Sequence, residues 1–388
     1  MLHSAMWRDA VLLLAAAPLI YYALATLVAL RFFKRERARV LPDFTPAVSI
    51  LKPVRGVDFG AYENFASFCR QEYPDYEILF AVNDETDPAL PLIRQIMTEF
   101  PERRICLLVG AEHLGANRKV NKLARLAGEA QNEVLVLTDG DVRVGPRFLC
   151  ELVAPLADDK IGAVTSFYLG IVEKNLGAEL EAVGASSDFF AGVLMAGWTE
   201  GISFALGASI ATTKDWLGKM GGFEAIAETL ADDYELGHGI AKAGGEVVLS
   251  REAVWTMYPA QTLRSFWGHQ VRWARTVRLC RPLSYVGLLL TQGFPWSLLA
   301  ALVAPTKWIA AFYLLAYLIL RFAMAWTVGI WGVRDEVLRR KIWLVPLRDA
   351  IHFVIWLASF GSNRIRWDNV EYAIRKGRMV PVADGESA

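Results

Sequence analysis

Cysteine is scarce in this 388-residue chain: Cys69, Cys106, Cys150 and Cys280 stand far apart, with no CxxC or CxxxxH spacing. That excludes a disulfide framework and a cysteine–histidine zinc site, and fits reduced, mostly buried thiols. An excess of charge is missing too. Lys+Arg 41 balances Asp+Glu 41, so the chain lacks the cationic surplus that phosphate-backbone binding needs, and nucleic acid is not an expected partner. Neither GxGxxG nor GxxxxGK followed by Ser or Thr occurs, which removes the glycine cradles of dinucleotide-binding and P-loop proteins. Internal repeats are absent, and low complexity is confined to the last residues, "DGESA".

What is abundant is apolar. Hydrophobic residues make up 54% and the mean hydropathy is +0.29, which argues against disorder. Charged residues are still 21%, so a water-facing domain joined to membrane segments is expected rather than a bundle buried in lipid. Residues 10–30 carry no charge, enough to cross a hydrocarbon core of roughly 30 Å. Arg31, Lys34, Arg35, Arg37 and Arg39 follow at once, which predicts a cytoplasmic end by the positive-inside rule. A cleaved signal peptide would carry its charge before the apolar run, so an anchor is expected. Three later apolar runs cover 284–304, 308–332 and 343–361. The first is broken by Gln292, Gly293 and Pro295 and the third by Arg348, Asp349 and His352, so either of these two reads as spanning or re-entrant. The connector 333–342 and the tail 362–388 are basic, through Arg334, Arg339, Arg340 and Lys341, and Arg364, Arg366, Arg375, Lys376 and Arg378. Four full spans from an outside N-terminus put that tail outside, and the charge rule puts it inside. The two rules conflict.

Between the membrane segments, residues 41–281 alternate apolar strands with helical patterns. Strands are expected at 48–51, 76–83 ("YEILFAVN"), 105–110 and 133–138 ("EVLVLT"), and helices at 61–71, Ala89–Glu99 and 119–130. This alternation predicts βαβ units and a parallel α/β sheet, with ligands at the carboxyl ends of the strands.

Several short motifs lie at those ends. "TDGDV" sets Asp139 and Asp141 two apart after a strand, a spacing that suits a divalent cation on a diphosphate and equally suits an Asp-Gly turn. Asp84 ends another strand, placed to accept from a base or ribose or to cap the next helix. "GANRKVNKL" brings Lys119 and Asn121 to a helix start, which suits a phosphate or a solvated helix end. "ADDYELG" pairs Asp232 with Asp233, a general base for an alcohol or a helix cap. "HQVRWARTVR" reads as a site segment or as a basic interfacial helix.

Taken together, "LKPVRGVD", "YPDYEILFAVNDETDPA", "GANRKVNKL", "TDGDVRV" and "ADDYELG" resemble the ceramide glucosyltransferase family, inverting GT-A enzymes that include bacterial hopanoid-modifying members. The resemblance covers about 48–278 and extends to the membrane layout. It implies an α/β GT-A domain with an N-terminal transmembrane anchor and C-terminal membrane helices, the domain facing the cytoplasm, in a bacterial inner membrane. It implies donor contacts from Lys52, Asp84, Lys119, Asn121, Asp139 and Gly207, and a divalent cation, Mg²⁺ or Mn²⁺, on Asp139 and Asp141. It implies Asp233 as catalytic base beside Asp232, with Arg272 and Trp273 as the RW of a (Q/R)xxRW motif whose first position is His269 here. The implied reaction moves glucose or N-acetylglucosamine from a UDP-sugar to a lipid alcohol at the bilayer, a ceramide or a hopanoid polyol such as bacteriohopanetetrol. A polysaccharide synthase is the weaker alternative, because three C-terminal runs are few for an extrusion channel.

Overall fold

The fold is taken from a computed structural model that describes residues 2–367, 370–375 and 378–382. Lys376 and the "DGESA" terminus lie outside the described residues. The chain divides into two compact units. One comprises Ala38–Ile171, Gly201–Pro259 and Tyr372–Ala388; the other comprises Met1–Arg37, Val172–Glu200 and Ala260–Glu371. The sheet-bearing unit is therefore not one continuous stretch. Residues 172–200 leave it as helices, and the chain returns to it at the C-terminus.

Ten strands are used below: β1 (Val48–Pro53), β2 (Tyr76–Val82), β3 (Arg104–Val109), β4 (Val134–Thr138), β5 (Val142–Arg143), β6 (Ile161–Thr165), β7 (Tyr168–Val172), β8 (Ser209–Thr213), β9 (Glu246–Leu249) and β10 (Val254–Tyr258). The main sheet runs β3-β2-β1-β4-β8-β6-β9. Its first four strands are parallel, with Ile50 opposite both Ile78 and Val136. β1, β2 and β4 are buried along their whole length, as apolar runs covered on both faces should be. The four strands and three helices expected from the pattern are all present, with ends within about two residues. β8 enters antiparallel between β4 and β6, making the sheet mixed. The order reverses between β1 and β4, and the crevice of such a reversal is where a mixed α/β sheet binds its ligand. This is the GT-A arrangement.

Two smaller elements complete the unit. β5, β10 and β7 form a three-stranded sheet in which Thr256 lies opposite Val142. At the C-terminus Val370–Arg375 pairs antiparallel with Arg378–Pro381, and Met379 N–H donates to the Glu228 carbonyl at 2.8 Å. Of the four cysteines only Cys69 is fully buried.

The other unit is helical. Among the described residues, Met6–Ala38, Lys307–Gly332 and Glu336–Ser359 are long and apolar enough to cross a membrane, and Pro282–Thr291 with Gly293–Val303 form a pair bent by 49°. The break falls where Gln292 and Gly293 interrupt the apolar run. The N-terminal helix and Lys307–Gly332 lie side by side in the same direction. Tyr313 donates to the Leu12 carbonyl at 2.7 Å, and Arg37, at the other end, donates to the Gly332 carbonyl at 3.1 Å. Arg321 is fully buried; its guanidinium holds Asp349 at 2.8 Å and the Ser187 carbonyl at 2.8 Å, so an ionisable group at depth is paired inside the bundle. Lys341 meets Glu179 at 2.9 Å, Trp356 donates to the Tyr285 carbonyl at 3.0 Å, and Arg278 donates to the Ser362 carbonyl at 3.0 Å.

Candidate active site

The site is assembled at the carboxyl end of β4. Asp139 follows Thr138 directly, and Lys52, from the end of β1, fixes that corner from beneath. Its ammonium donates to Thr138 Oγ1 at 3.1 Å and to the Asp139 carbonyl at 2.7 Å, and lies 4.0 Å from the Phe68 ring centroid. Burial pulls this amine down to about 7, against the attraction of Asp141 and Asp139. Lys52 is wholly buried and holds the Asp139 backbone.

Asp141 has a different partner from Asp139. Its Oδ2 accepts from Thr256 Oγ1 at 2.7 Å, a contact set by the β5–β10 pairing. Burial, then the Asp139 charge, pushes its carboxyl up to about 6.

Lys119 comes from the helix Arg118–Glu129. Asn117 caps that helix, its side chain accepting from the amides of Lys119 at 3.0 Å and Val120 at 3.1 Å. The Lys119 ammonium then bridges Asp139 Oδ1 at 2.7 Å and Asp232 Oδ2 at 2.9 Å. Burial opposes its charge, but Asp139, Asp232 and Asp233 outweigh that and hold the ammonium well above the usual lysine range.

The acid pair opens the helix Asp232–Lys242. The cap position is Ala231, without a side-chain cap, so Asp232 is not the capping residue; its carboxylate is used by Lys119 instead. Asp233 Oδ1 accepts from the Tyr234 amide at 2.8 Å. Burial, with Asp232 alongside, pushes its carboxyl up to about 6. Two carboxylates on successive helical residues point roughly 100° apart, which argues against a shared face. Both nevertheless line one small cavity with Lys119, Asp139 and Gly207, because the first helical turn projects into it.

Two other expected donor contacts lie elsewhere. Asp84 is exposed and folds onto its own loop, accepting from the Thr86 amide at 2.9 Å and the Thr86 hydroxyl, which holds its carboxyl below the usual range. Asn121 braces the preceding loop, accepting from Gly115 N–H at 3.2 Å and donating to the Gly115 carbonyl at 2.9 Å. Neither lines the cavity. Asn117 and Thr256 were not singled out by the motifs. An Asn one residue before a helical run was a legible signal for Asn117. Thr256 is brought in by a pairing across more than a hundred residues and leaves no local signal.

His269, Arg272 and Trp273 belong to the helical unit, on the helix Leu263–Cys280. His269 Nδ1 lies 2.6 Å from Glu181 Oε1, and Gln261 donates to Glu181 Oε2 at 2.6 Å. The first position of the motif is thus tethered. Trp273 is half-exposed, its ring 5.3 Å from that of His269.

Among the described residues no group of three or more His, Cys, Asp or Glu forms a metal cage. The donors at the β4 end are hard carboxylate oxygens, one of them facing the cavity. That fits an ion such as Mg²⁺, which takes one or two carboxylates and completes its shell with water and substrate phosphates.

A sequence profile described as "Glycosyl transferase family 21" matches residues 10–380. Ceramide glucosyltransferase 1 of Caenorhabditis elegans is 26% identical over 243 residues, covering 62% of this chain and 52% of that protein. Ceramide glucosyltransferase 3 of the same organism is 25% identical over 252 residues, covering 64% of this chain and 55% of that one. The chain thus spans about half the length of these relatives. Among solved structures, a mannosyltransferase of Pyrobaculum calidifontis has a TM-score of 0.49 at 18% identity, covering 89% of this chain and 99% of that chain.

Proposed function

The chain belongs to glycosyl transferase family 21, a family of sugar-transferring enzymes, and we propose that it moves a hexose, glucose or N-acetylglucosamine, from a UDP-sugar to a lipid alcohol with inversion. The observation that carries this is the cavity itself, where Lys119, Asp139, Asp232 and Asp233 converge beside a residue without a side chain, Gly207.

In this reading Asp233 is the base. Burial has raised its proton affinity toward neutrality, which suits a group that must hold a carboxylate and still accept a proton. As the acceptor oxygen attacks the anomeric carbon, its proton passes to the Asp233 carboxylate, the new C–O bond forms, and the bond to the diphosphate breaks on the opposite face. Lys119 supplies positive charge for the departing UDP, and Arg272 would add a guanidinium. Asp139 and Asp141 would hold a divalent cation, which neutralises the diphosphate when bound.

The acceptor is a ceramide-like alcohol at the bilayer surface, as the names of the matched relatives suggest. Full-length protein in vesicles, given UDP-glucose or UDP-N-acetylglucosamine labelled in the sugar, tests this. Label entering the lipid phase with ceramide supports the reading. Transfer to bacteriohopanetetrol alone would replace the acceptor, and no transfer to either lipid would remove the proposal.

The domain layout is proposed on the same terms: an anchor, a cytoplasmic GT-A unit, and two further spans. Lys307–Gly332 runs with the anchor and ends beside Arg37, where the basic flank marks the cytoplasm. The bent pair before it must then cross outward. Glu336–Ser359 runs beside the helix Leu263–Cys280, from Lys341 at Glu179 through Arg348 at Gln270 to Ser362 at Arg278, so in this reading both helices lie along the cytoplasmic surface and this one does not cross. The tail re-enters the GT-A unit through Met379 and Glu228, on the cytoplasmic side. Charge and span count then agree. The home of such a chain is a membrane, a bacterial inner membrane by the family resemblance.

A further inference from the structure

The acid-rich cavity holds a cation of its own. Lys119 Nζ lies 2.7 Å from Asp139 Oδ1 and 2.9 Å from Asp232 Oδ2, so one ammonium ties the strand-end carboxylate to the helix that carries the base. The arrangement is built rather than incidental. Asn117 fixes the start of the lysine's helix, and the same side chain donates to the Thr229 carbonyl at 2.9 Å, on the segment that leads into Asp232. The Asn117 amide donates to the Ala227 carbonyl at 2.9 Å. The two helix starts are thereby locked to each other, and the lysine has little freedom except along its own stem.

We propose that Lys119 is a tethered counter-ion that keeps divalent metal off Asp139 until a nucleoside diphosphate arrives. This rests on the reading of Asp139 as a metal-holding carboxylate. An ion coordinated there sits about 2.1 Å from a carboxylate oxygen. With the ammonium on the same carboxylate, like charges would meet at a few ångströms in a cavity partly shielded from water, where such repulsion is expensive. One oxygen of Asp141, Oδ2, is already engaged by the Thr256 hydroxyl in this state. A diphosphate changes the balance. Its oxygens give the flexible ammonium a new partner and the metal new ligands, so Lys119 can swing from carboxylate to phosphate as the ion takes its place. Metal and donor then enter together, and Asp232, next to the proposed base Asp233, loses its ammonium partner.

The test is Mn²⁺ binding to full-length protein in nanodiscs, read by electron paramagnetic resonance, with and without UDP. Without UDP, wild type should bind Mn²⁺ weakly. Lys119→Met, which keeps the stem and removes the charge, should bind on the order of tenfold tighter or more, while Lys119→Arg, which keeps the charge, stays weak. With UDP, wild type should bind Mn²⁺ well, and Asp139→Asn should not. If wild type and Lys119→Met bind Mn²⁺ equally without UDP, the counter-ion role is wrong while the metal reading stands. If Mn²⁺ is absent from wild type even with UDP, the metal itself leaves the proposed function and the counter-ion role goes with it. Lys119→Arg binding as tightly as Lys119→Met would place the effect in the shape of the side chain and not its charge, which overturns the proposal too.

Discussion

Gly207 stands against the carboxylate of Asp233: a Cβ built on it would lie 2.9 Å from Asp233 Oδ2 and 3.4 Å from Cγ. The glycine is there for space, since the carboxylate of Asp233, the proposed base, occupies the volume a side chain would fill. Gly207→Ala should therefore displace the carboxylate by a few tenths of an ångström or more and leave the fold intact. Such misplacement of a reacting group costs roughly ten- to a hundredfold in kcat. UDP affinity should hardly change. Full kcat in Gly207→Ala would separate this glycine from the base.

The two aspartates should respond differently. Asp233→Asn keeps size and hydrogen bonding but cannot take a proton, so kcat should fall by roughly 10²–10⁴-fold with UDP binding near normal. Asp232→Asn loses half of the Lys119 bridge and leaves the base in place. Its loss of kcat should be smaller, and its thermal stability should drop modestly. The reverse ranking of the two variants would reassign the base.

The pH profile follows from the same carboxyl. As the proposed base Asp233 must be ionised, and burial raises its carboxyl to about 6. Transfer measured as kcat/KM should therefore be flat above that pH and fall about tenfold per unit below it, as protons occupy the base. In Asp233→Asn that acid limb should vanish from the residual rate. An unchanged limb would mean that another group titrates there.

How much of this the chain announces depends on where each residue sits. The strands at β1, β2, β3 and β4 are legible because each is a short apolar run closed by a polar turn. β6, β8 and β9 escape, because short mixed runs such as "SIATT" carry no distinctive period. Strand ends mark the region of the candidate cavity but not side-chain direction. Lys52 and Asp139 both sit at such ends, yet one lies under the sheet and the other faces the cavity. The bridge from Lys119 to Asp232 joins residues more than a hundred apart, and only the fold brings them together. In the membrane half, charge pattern and run length conflict because run length shows only that a helix is long enough to cross.

Chelation should abolish transfer, and Mg²⁺ or Mn²⁺ should restore it. Asp141→Asn keeps the Thr256 hydrogen bond but loses the charge that would share the ion. It should demand a much higher metal concentration for half-maximal rate and lower the rate by several kcal/mol of transition-state stabilisation, on the order of a lost Lewis acid. Undiminished transfer by that variant in the presence of chelator would take the metal off this pair.

Topology gives a prediction that needs no substrate. In a background with the four native cysteines replaced, single cysteines at Pro305, Arg340 and Ser362 sample the three turns of the helical unit. Lys307–Gly332 runs parallel to the anchor, so with the proposed cytoplasmic flank at Arg37 its start, beside Pro305, should be at the outer face. Arg340 precedes the Lys341–Glu179 pair, and Ser362 is held by Arg278. Both should face the cytoplasm. An impermeant thiol reagent added to intact cells should label Pro305→Cys and spare the other two until the cells are opened. Labelling at Ser362→Cys from outside would make Glu336–Ser359 a full span. It would also require the tail hairpin to lose its hydrogen bond to Glu228, since the hairpin cannot be outside and paired with a cytoplasmic domain at once.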